Sequence, residues 1–329
     1  MDFSGIIGQK RVVESLQRSL AENRVGHAYI FTGPAGMGKK TIARIYAGLL
    51  LCENPKHGSS CRKCTACLLD ENGTNPDFHR ITGDNSIGVD LIREMQEDVI
   101  IKPVYSKRKV YIIEDAGKMT EQAQNCLLKT LEEPPSYVVV ILLADNYEML
   151  LETIRSRAQR LNFTRYTSEE VIKAVTAKYG DNPELSRLAA EYSDGNIGKA
   201  LELAGSSEFK QLREKVCELL AGALEGNAKI LMDFSAFLEE NRENIEIILE
   251  IIQLYFRDML VAYETGNENM LINSDKKDMI INNARIYSSS RILSTIDTIW
   301  ELKRALRQNA NYQLVVDNLL IKLQEDNRW

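Results

Sequence analysis

Apolar residues follow two different rhythms along this chain. Val12, Val13, Leu16 and Leu20 recur at helical spacing and predict an amphipathic helix over 9–23. His27–Thr32 is instead a short continuous apolar run with aromatic and β-branched residues. It predicts a buried strand that runs straight into a glycine-rich turn. Residues 39–52 return to the helical pattern. Phe78–Ile81 predicts a short strand, and Val89, Ile92, Met95 and Val99 mark the next helix. Val110–Glu114 and Val138–Leu143 predict two more buried strands with a helix over 120–131 between them, and Gln159–Phe163 predicts a fifth. Strands alternating with helices in this way predict a parallel sheet covered on both faces.

After Phe163 the strand signal stops. Thr167 and Glu170 have the spacing of a capping box that opens a helical segment. Residues 167–205 hold two or three short helices, and everything beyond is helical in pattern. The clearest stripe is Ile245, Ile248, Leu249, Ile252, Tyr255, Phe256 and Met259; the last helix carries Val316, Leu319, Leu320 and Leu323. The expected organisation is an α/β domain over 1–166, a small helical lid over 167–207 and an all-α domain over 208–329.

Composition narrows the class. Hydrophobic residues make up 44% and charged residues 27% of the 329, as in folded globular chains. The net charge of −6 excludes coating of DNA by bulk charge, so any DNA contact must be local or belong to an assembly. Met1-Asp2-Phe3-Ser4 has neither a basic nor an apolar leader region, which points to the cytoplasm. The longest apolar run, Val138–Ala144, is far below the roughly 18 residues of a membrane span, so no membrane partner is expected.

Four of the six cysteines, Cys52, Cys61, Cys64 and Cys67, cluster as C-x8-C-x2-C-x2-C. Under reducing conditions that spacing predicts a metal knuckle over 52–67 rather than free thiols or disulfides. Four thiolates close a tetrahedron around Zn2+ and leave no open position, so the zinc would be structural. Lys56, Arg62 and Lys63 would offset part of its negative charge. The knuckle is expected as a loop insertion. Cys126 and Cys217 stand alone on apolar helical faces and read as buried small hydrophobes. Lys107-Arg108-Lys109 reads as a solvated turn before a strand.

Gly33-Pro34-Ala35-Gly36-Met37-Gly38-Lys39 satisfies G-x4-G-K between a strand and a helix, the setting of a phosphate-binding loop. Its glycines let backbone wrap phosphates, and Lys39 would reach the β- and γ-phosphates. The next position should carry a hydroxyl for Mg2+, but it is Lys40, whose ammonium repels a cation. Thr41 is turned by about 100° around the helix and is a poor substitute. At the end of the 110–113 strand stand Glu114 and Asp115, the reverse of the Asp-Glu order that holds the Mg2+ shell and polarises water. Mg2+-dependent hydrolysis is therefore not expected, while the residues leave open whether ATP or ADP still binds.

With these residues in view, the chain resembles the AAA+ clamp-loader subunits of bacterial DNA polymerase III. The likeness rests on Gly8-Gln9, His27–Phe31, the phosphate loop, the four cysteines, Leu127-Leu-Lys-Thr-Leu-Glu-Glu-Pro-Pro135, Thr153-Ile-Arg-Ser-Arg157 and the lid segment Ser193–Leu201. It implies an α/β P-loop AAA+ domain with a five-stranded parallel sheet, a helical lid and an all-α oligomerising collar. A motor subunit of this family would have Thr at 40, Asp-Glu at 114–115 and Arg near 198, where this chain has Gly198. The Thr pair of the sensor is missing at Ala144-Asp145-Asn146. Ser156-Arg157 is intact, followed by Ala158 instead of Cys. The resemblance thus implies a non-hydrolysing subunit whose Arg157 acts as an arginine finger on ATP held by a neighbour. Implied partners are the gamma/tau motor subunits and the delta subunit, with the sliding clamp met indirectly and primed DNA only within the complex. Two alternatives stay open: a motor subunit with a degenerate loop, and a zinc-knuckle DNA-binding protein with a vestigial loop. In isolation Glu132-Glu133-Pro134-Pro135 reads simply as a helix stop.

Overall fold

The computed structural model describes residues 2–55 and 58–324, which fall into two compact units. The first runs to Ala174 and includes Gly195–Lys199. Its sheet is built from β1 (Ala28–Thr32), β2 (Phe78–Ile81), β3 (Lys109–Ile113), β4 (Val138–Ala144) and β5 (Gln159–Asn162). The strand order is β2-β3-β4-β1-β5 and each pairing is parallel. β1, β3 and β4 are buried along their whole length, which is why their sequences are continuous apolar runs without alternation. Register aligns their carboxyl ends: Thr32 lies opposite Ala144, and Ile113 opposite Leu142. The residues that follow these strands therefore emerge along one edge of the sheet, where α/β proteins place ligands.

Around the sheet lie α1 (Lys10–Ala21), α2 (Lys39–Leu51), α3 (Thr65–Glu71), α4 (Val89–Val99), α5 (Glu121–Glu132) and the short α6 (Glu152–Arg155). Ile92 and Met95 of α4 and Leu127 of α5 share one core with Tyr111 of β3 and Val140 of β4. Thr120 caps α5, its hydroxyl accepting from the Ala123 N–H at 3.2 Å, and the helix stops before Pro134 as its sequence dictates. The capping box of α7 (Ser168–Tyr179) is reciprocal: the Glu170 N–H donates to Thr167 Oγ1 at 3.3 Å and the Thr167 N–H to Glu170 Oε2 at 3.1 Å.

The second unit comprises Val175–Asp194 and the chain from Ala200 onward. The remaining helices follow in order: α8 (Pro183–Ser193), α9 (Ile197–Gly205), α10 (Ser207–Leu224), α11 (Ala228–Glu240), α12 (Ile245–Thr265), α13 (Lys277–Ile286), α14 (Ser289–Arg307) and α15 (Tyr312–Gln324). The stripe expected on α12 is buried throughout. On α15, Val316, Leu319 and Leu323 are buried, but Leu320 is only half-buried.

Three expectations need correction. Lys109 is not part of a solvated turn: it opens β3, is 3% exposed, and donates to Asp98 Oδ1 at 2.7 Å. A buried ammonium requires such a partner. The knuckle is not wholly loop, because Cys64 caps α3 and Cys67 lies within it. Cys126 is half-buried rather than buried: it packs against the core of the first unit, and its thiol also donates to Gln96 Oε1 at 3.2 Å. Cys217 is fully buried as expected.

Candidate functional site

The loop after β1 uses glycine where no other residue fits. At Gly36, φ is +76°, and an added Cβ would lie 2.0 Å from Asn196 Oδ1. Asn196 Nδ2 donates to the Ala35 carbonyl at 2.8 Å, and the Gly198 N–H donates to the Gly36 carbonyl at 3.2 Å. A Cβ on Gly198 would in turn come within 3.0 Å of Gly36 Cα. Position 198 is thus a packing partner of the loop. Tyr166 completes the strap, its hydroxyl donating to the Met37 carbonyl at 3.0 Å.

Lys39, the first residue of α2, is only 7% exposed. Its ammonium donates to the Gly33 carbonyl, to the Pro34 carbonyl at 2.7 Å and to Asp145 Oδ1 at 2.8 Å. Those acceptors use the three protons of the ammonium. Asp145, at the end of β4, therefore neutralises the lysine that the loop motif provides. The neighbouring Asn146 accepts instead from the Glu148 N–H at 2.9 Å. Lys40 Nζ lies 3.0 Å from Glu114 Oε2, and Arg80 Nε lies 3.9 Å from Glu114 Oε1. The Glu114 side chain is 13% exposed, so its carboxylate meets cations from two sides in partly shielded surroundings. Asp115 adopts φ +49° and faces Lys118 at 3.6 Å. Thr41 is exposed. Gly33, Gly36, Gly38, Lys39, Lys40, Glu114 and Asp145 thus form one cradle whose charges are paired internally.

The four cysteines converge. Cys52 follows α2 directly, Cys61 lies in the loop, and Cys64 and Cys67 sit at the start of α3. Their sulfurs all lie within 4.8 Å of one another. Tetrahedral Zn–S bonds of about 2.3 Å would bring sulfurs to about 3.8 Å, so the cluster could bind a metal such as zinc with small adjustments. Backbone N–H groups point at the sulfurs: Cys61 N to Cys52 Sγ at 3.3 Å and Cys64 N to Cys61 Sγ at 3.4 Å. Donation from the Lys63 and Cys64 N–H groups lowers the Cys61 thiol pKa to about 6, whereas burial pushes Cys52 and Cys67 up. Of the expected bases, Arg62 faces Asp2 at 3.7 Å and Lys63 is exposed; Lys56 lies outside the described residues.

Arg157 follows α6. Its Nη2 lies 2.8 Å from Glu132 Oε1, and its Nη1 donates to the Thr153 carbonyl at 3.0 Å and to Ser156 Oγ at 3.2 Å. These partners are no part of the cradle. Arg155 is turned inward, paired with Glu148 and lying 5.1 Å over the Tyr147 ring. The sequence shows Glu132 only as part of a helix stop and gives no sign of its pairing with Arg157. The available signal was an acid in the last turn of a helix, where the dipole disfavours negative charge unless a cation meets it.

A glycine cradle at the carboxyl edge of a parallel sheet, followed by an all-helical unit, defines an AAA+-like P-loop protein. The model of the family "DNA polymerase III, delta subunit" matches residues 8–167, and that of its C-terminal region matches 207–325. The DNA polymerase III subunit delta' of Bacillus subtilis (strain 168) is 32% identical over 322 residues, covering 96% of each chain. That of Escherichia coli (strain K12) is 28% identical over 317 residues, covering 94% of this chain and 92% of its own. The B. subtilis DNA polymerase III subunit tau is 30% identical over 349 residues, but this chain spans 58% of it. The chain belongs to the delta' family of DNA polymerase III clamp-loader subunits.

Proposed function

We propose that this chain is a non-hydrolysing wall of a DNA polymerase III clamp loader. It assembles through its helical C-terminal region with gamma/tau motor and delta subunits, and lends Arg157 to ATP held by a neighbour. On this reading residues 167–207 are the lid and 208–329 the collar. The observation that carries the proposal is the contact of Lys40 with Glu114 at 3.0 Å. In a working P-loop ATPase, Mg2+ links a hydroxyl at the first position to an acid at the second. Here a side-chain ammonium occupies the first position and pairs with the acid, so the protein's own cation faces that carboxylate. Lys39 is likewise paired with Asp145. ADP or ATP held in the cradle would have to exchange these partners for phosphate. Zn2+ in the four-cysteine knuckle serves as a structural staple. The similarity to tau is the argument for a motor role, and the Lys40–Glu114 ion pair opposes it.

A planar guanidinium offers a fork of donors to the charge that develops on a transferred phosphoryl, and a trans arginine accelerates hydrolysis by on the order of 10^3 to 10^5. It also makes turnover depend on correct assembly. The test is reconstitution with the motor and delta subunits, followed by ATPase assays on primed DNA. Arg157→Ala should leave assembly intact and lower DNA-stimulated turnover, and the isolated chain should show no Mg2+-dependent turnover. Unchanged turnover in the variant loader would refute the finger role.

A further inference from the structure

We infer that Glu132 is a latch on Arg157, holding the guanidinium folded against its own subunit until a neighbour's triphosphate displaces it; the inference rests on the finger reading above. Glu132 ends α5 and Arg157 follows α6, so two segments far apart in sequence meet at one contact of 2.8 Å. The contact sets the direction of the guanidinium. One terminal nitrogen faces the Glu132 carboxylate, and the other is held by the Thr153 carbonyl and Ser156 Oγ. Both terminal nitrogens are therefore engaged within the subunit. A phosphoryl group that needs the same donors must compete for them.

The strength of the contact suits release. The Arg157 side chain is 36% exposed and that of Glu132 is 49% exposed, so water screens the pair and makes it weak. A γ-phosphate with its multiple charges is a stronger acceptor than a half-solvated carboxylate. The carboxylate also has its own reason to seek a cation, because it lies where the α5 dipole is negative. When Arg157 departs, that repulsion returns, so the latch is poised rather than locked. Glu132 acts through Arg157 and touches no reacting atom; it is a positioning residue.

Glu132→Gln keeps the shape and removes the charge. In the isolated chain, side-chain NMR of the arginines should show faster guanidinium motion at Arg157 in Glu132→Gln than in the wild type. In the reconstituted loader without DNA, Glu132→Gln should raise ATP turnover by about two- to five-fold, the range a surface ion pair supports. The double variant Glu132→Gln/Arg157→Ala should match Arg157→Ala alone, which a merely structural role for Glu132 would not produce. Glu132→Asp should restore at least part of the wild-type restraint. Unchanged turnover in Glu132→Gln, beside lost turnover in Arg157→Ala, overturns the latch and spares the finger. Unchanged turnover in Arg157→Ala overturns the finger, and the latch falls with it.

Discussion

The ammonium of Lys40 lies 3.0 Å from a carboxylate oxygen of Glu114, joining the first turn of α2 to the end of β3. Replacing the lysine by the hydroxyl that the motif favours frees that carboxylate for a metal. We expect Lys40→Thr to gain Mg2+-dependent ATP binding in the isolated chain by about tenfold, or about 1.4 kcal/mol. Turnover should stay absent, because Glu114 and Asp115 remain in reversed order. Calorimetric titration of both proteins with and without Mg2+ checks this. Equal Mg2+-dependent binding by wild type and variant would show that the ion pair does not guard the cradle.

The knuckle predicts about one zinc per chain. Cys64→Ser and Cys67→Ser should lower the metal content and open the 58–67 segment to protease, since α3 would lose its anchor to the end of α2. Metal analysis with limited proteolysis before and after chelation gives the answer. A metal-free chain as protease-resistant as the loaded one would argue against a structural ion.

Asp98 supplies a pH-dependent contribution. It accepts from Lys109 at 2.7 Å and from the Tyr111 hydroxyl at 2.6 Å, and it faces His79 at 3.0 Å. Burial alone would raise its pKa, but the bonds from Lys109 and Tyr111 prevail and hold it below the ordinary carboxylate value. A depressed folded pKa means stability that is present above the unfolded value and lost as pH falls through the folded one. Asp98→Asn leaves the buried Lys109 ammonium its backbone acceptors but no countercharge, and should cost about 2 kcal/mol at neutral pH, discounted from the fully buried case because Asp98 is partly exposed. The gap between variant and wild type should shrink below about pH 4. Urea unfolding across pH measures it; a gap independent of pH would assign the loss to packing.

Much of the architecture was legible because local pattern and final environment agree. The stripe from Ile245 to Met259 faces a core, and the Thr167–Glu170 box forms as spaced. The cysteine cluster could be read because a tight metal knuckle needs close ligand spacing. What escaped depends on partners remote in sequence. Lys109 looks like one base among three until Asp98 is brought under it. α3 has only seven residues, too few to show a helical period in the sequence. Glu132 looks like the end of a helix until Arg157 arrives, and Gly36 reads as a phosphate-loop glycine with no hint that Asn196 lies on it.

α2 begins at Lys39, fastened by three acceptors, and hands over at its far end to Cys52 among the gathered sulfurs. Its thirteen residues make a rod about 20 Å long with both ends tethered. The glycine turn and the thiol cluster thus share one helix, so a residue added to or taken from α2 would change the spacing between them by about 1.5 Å.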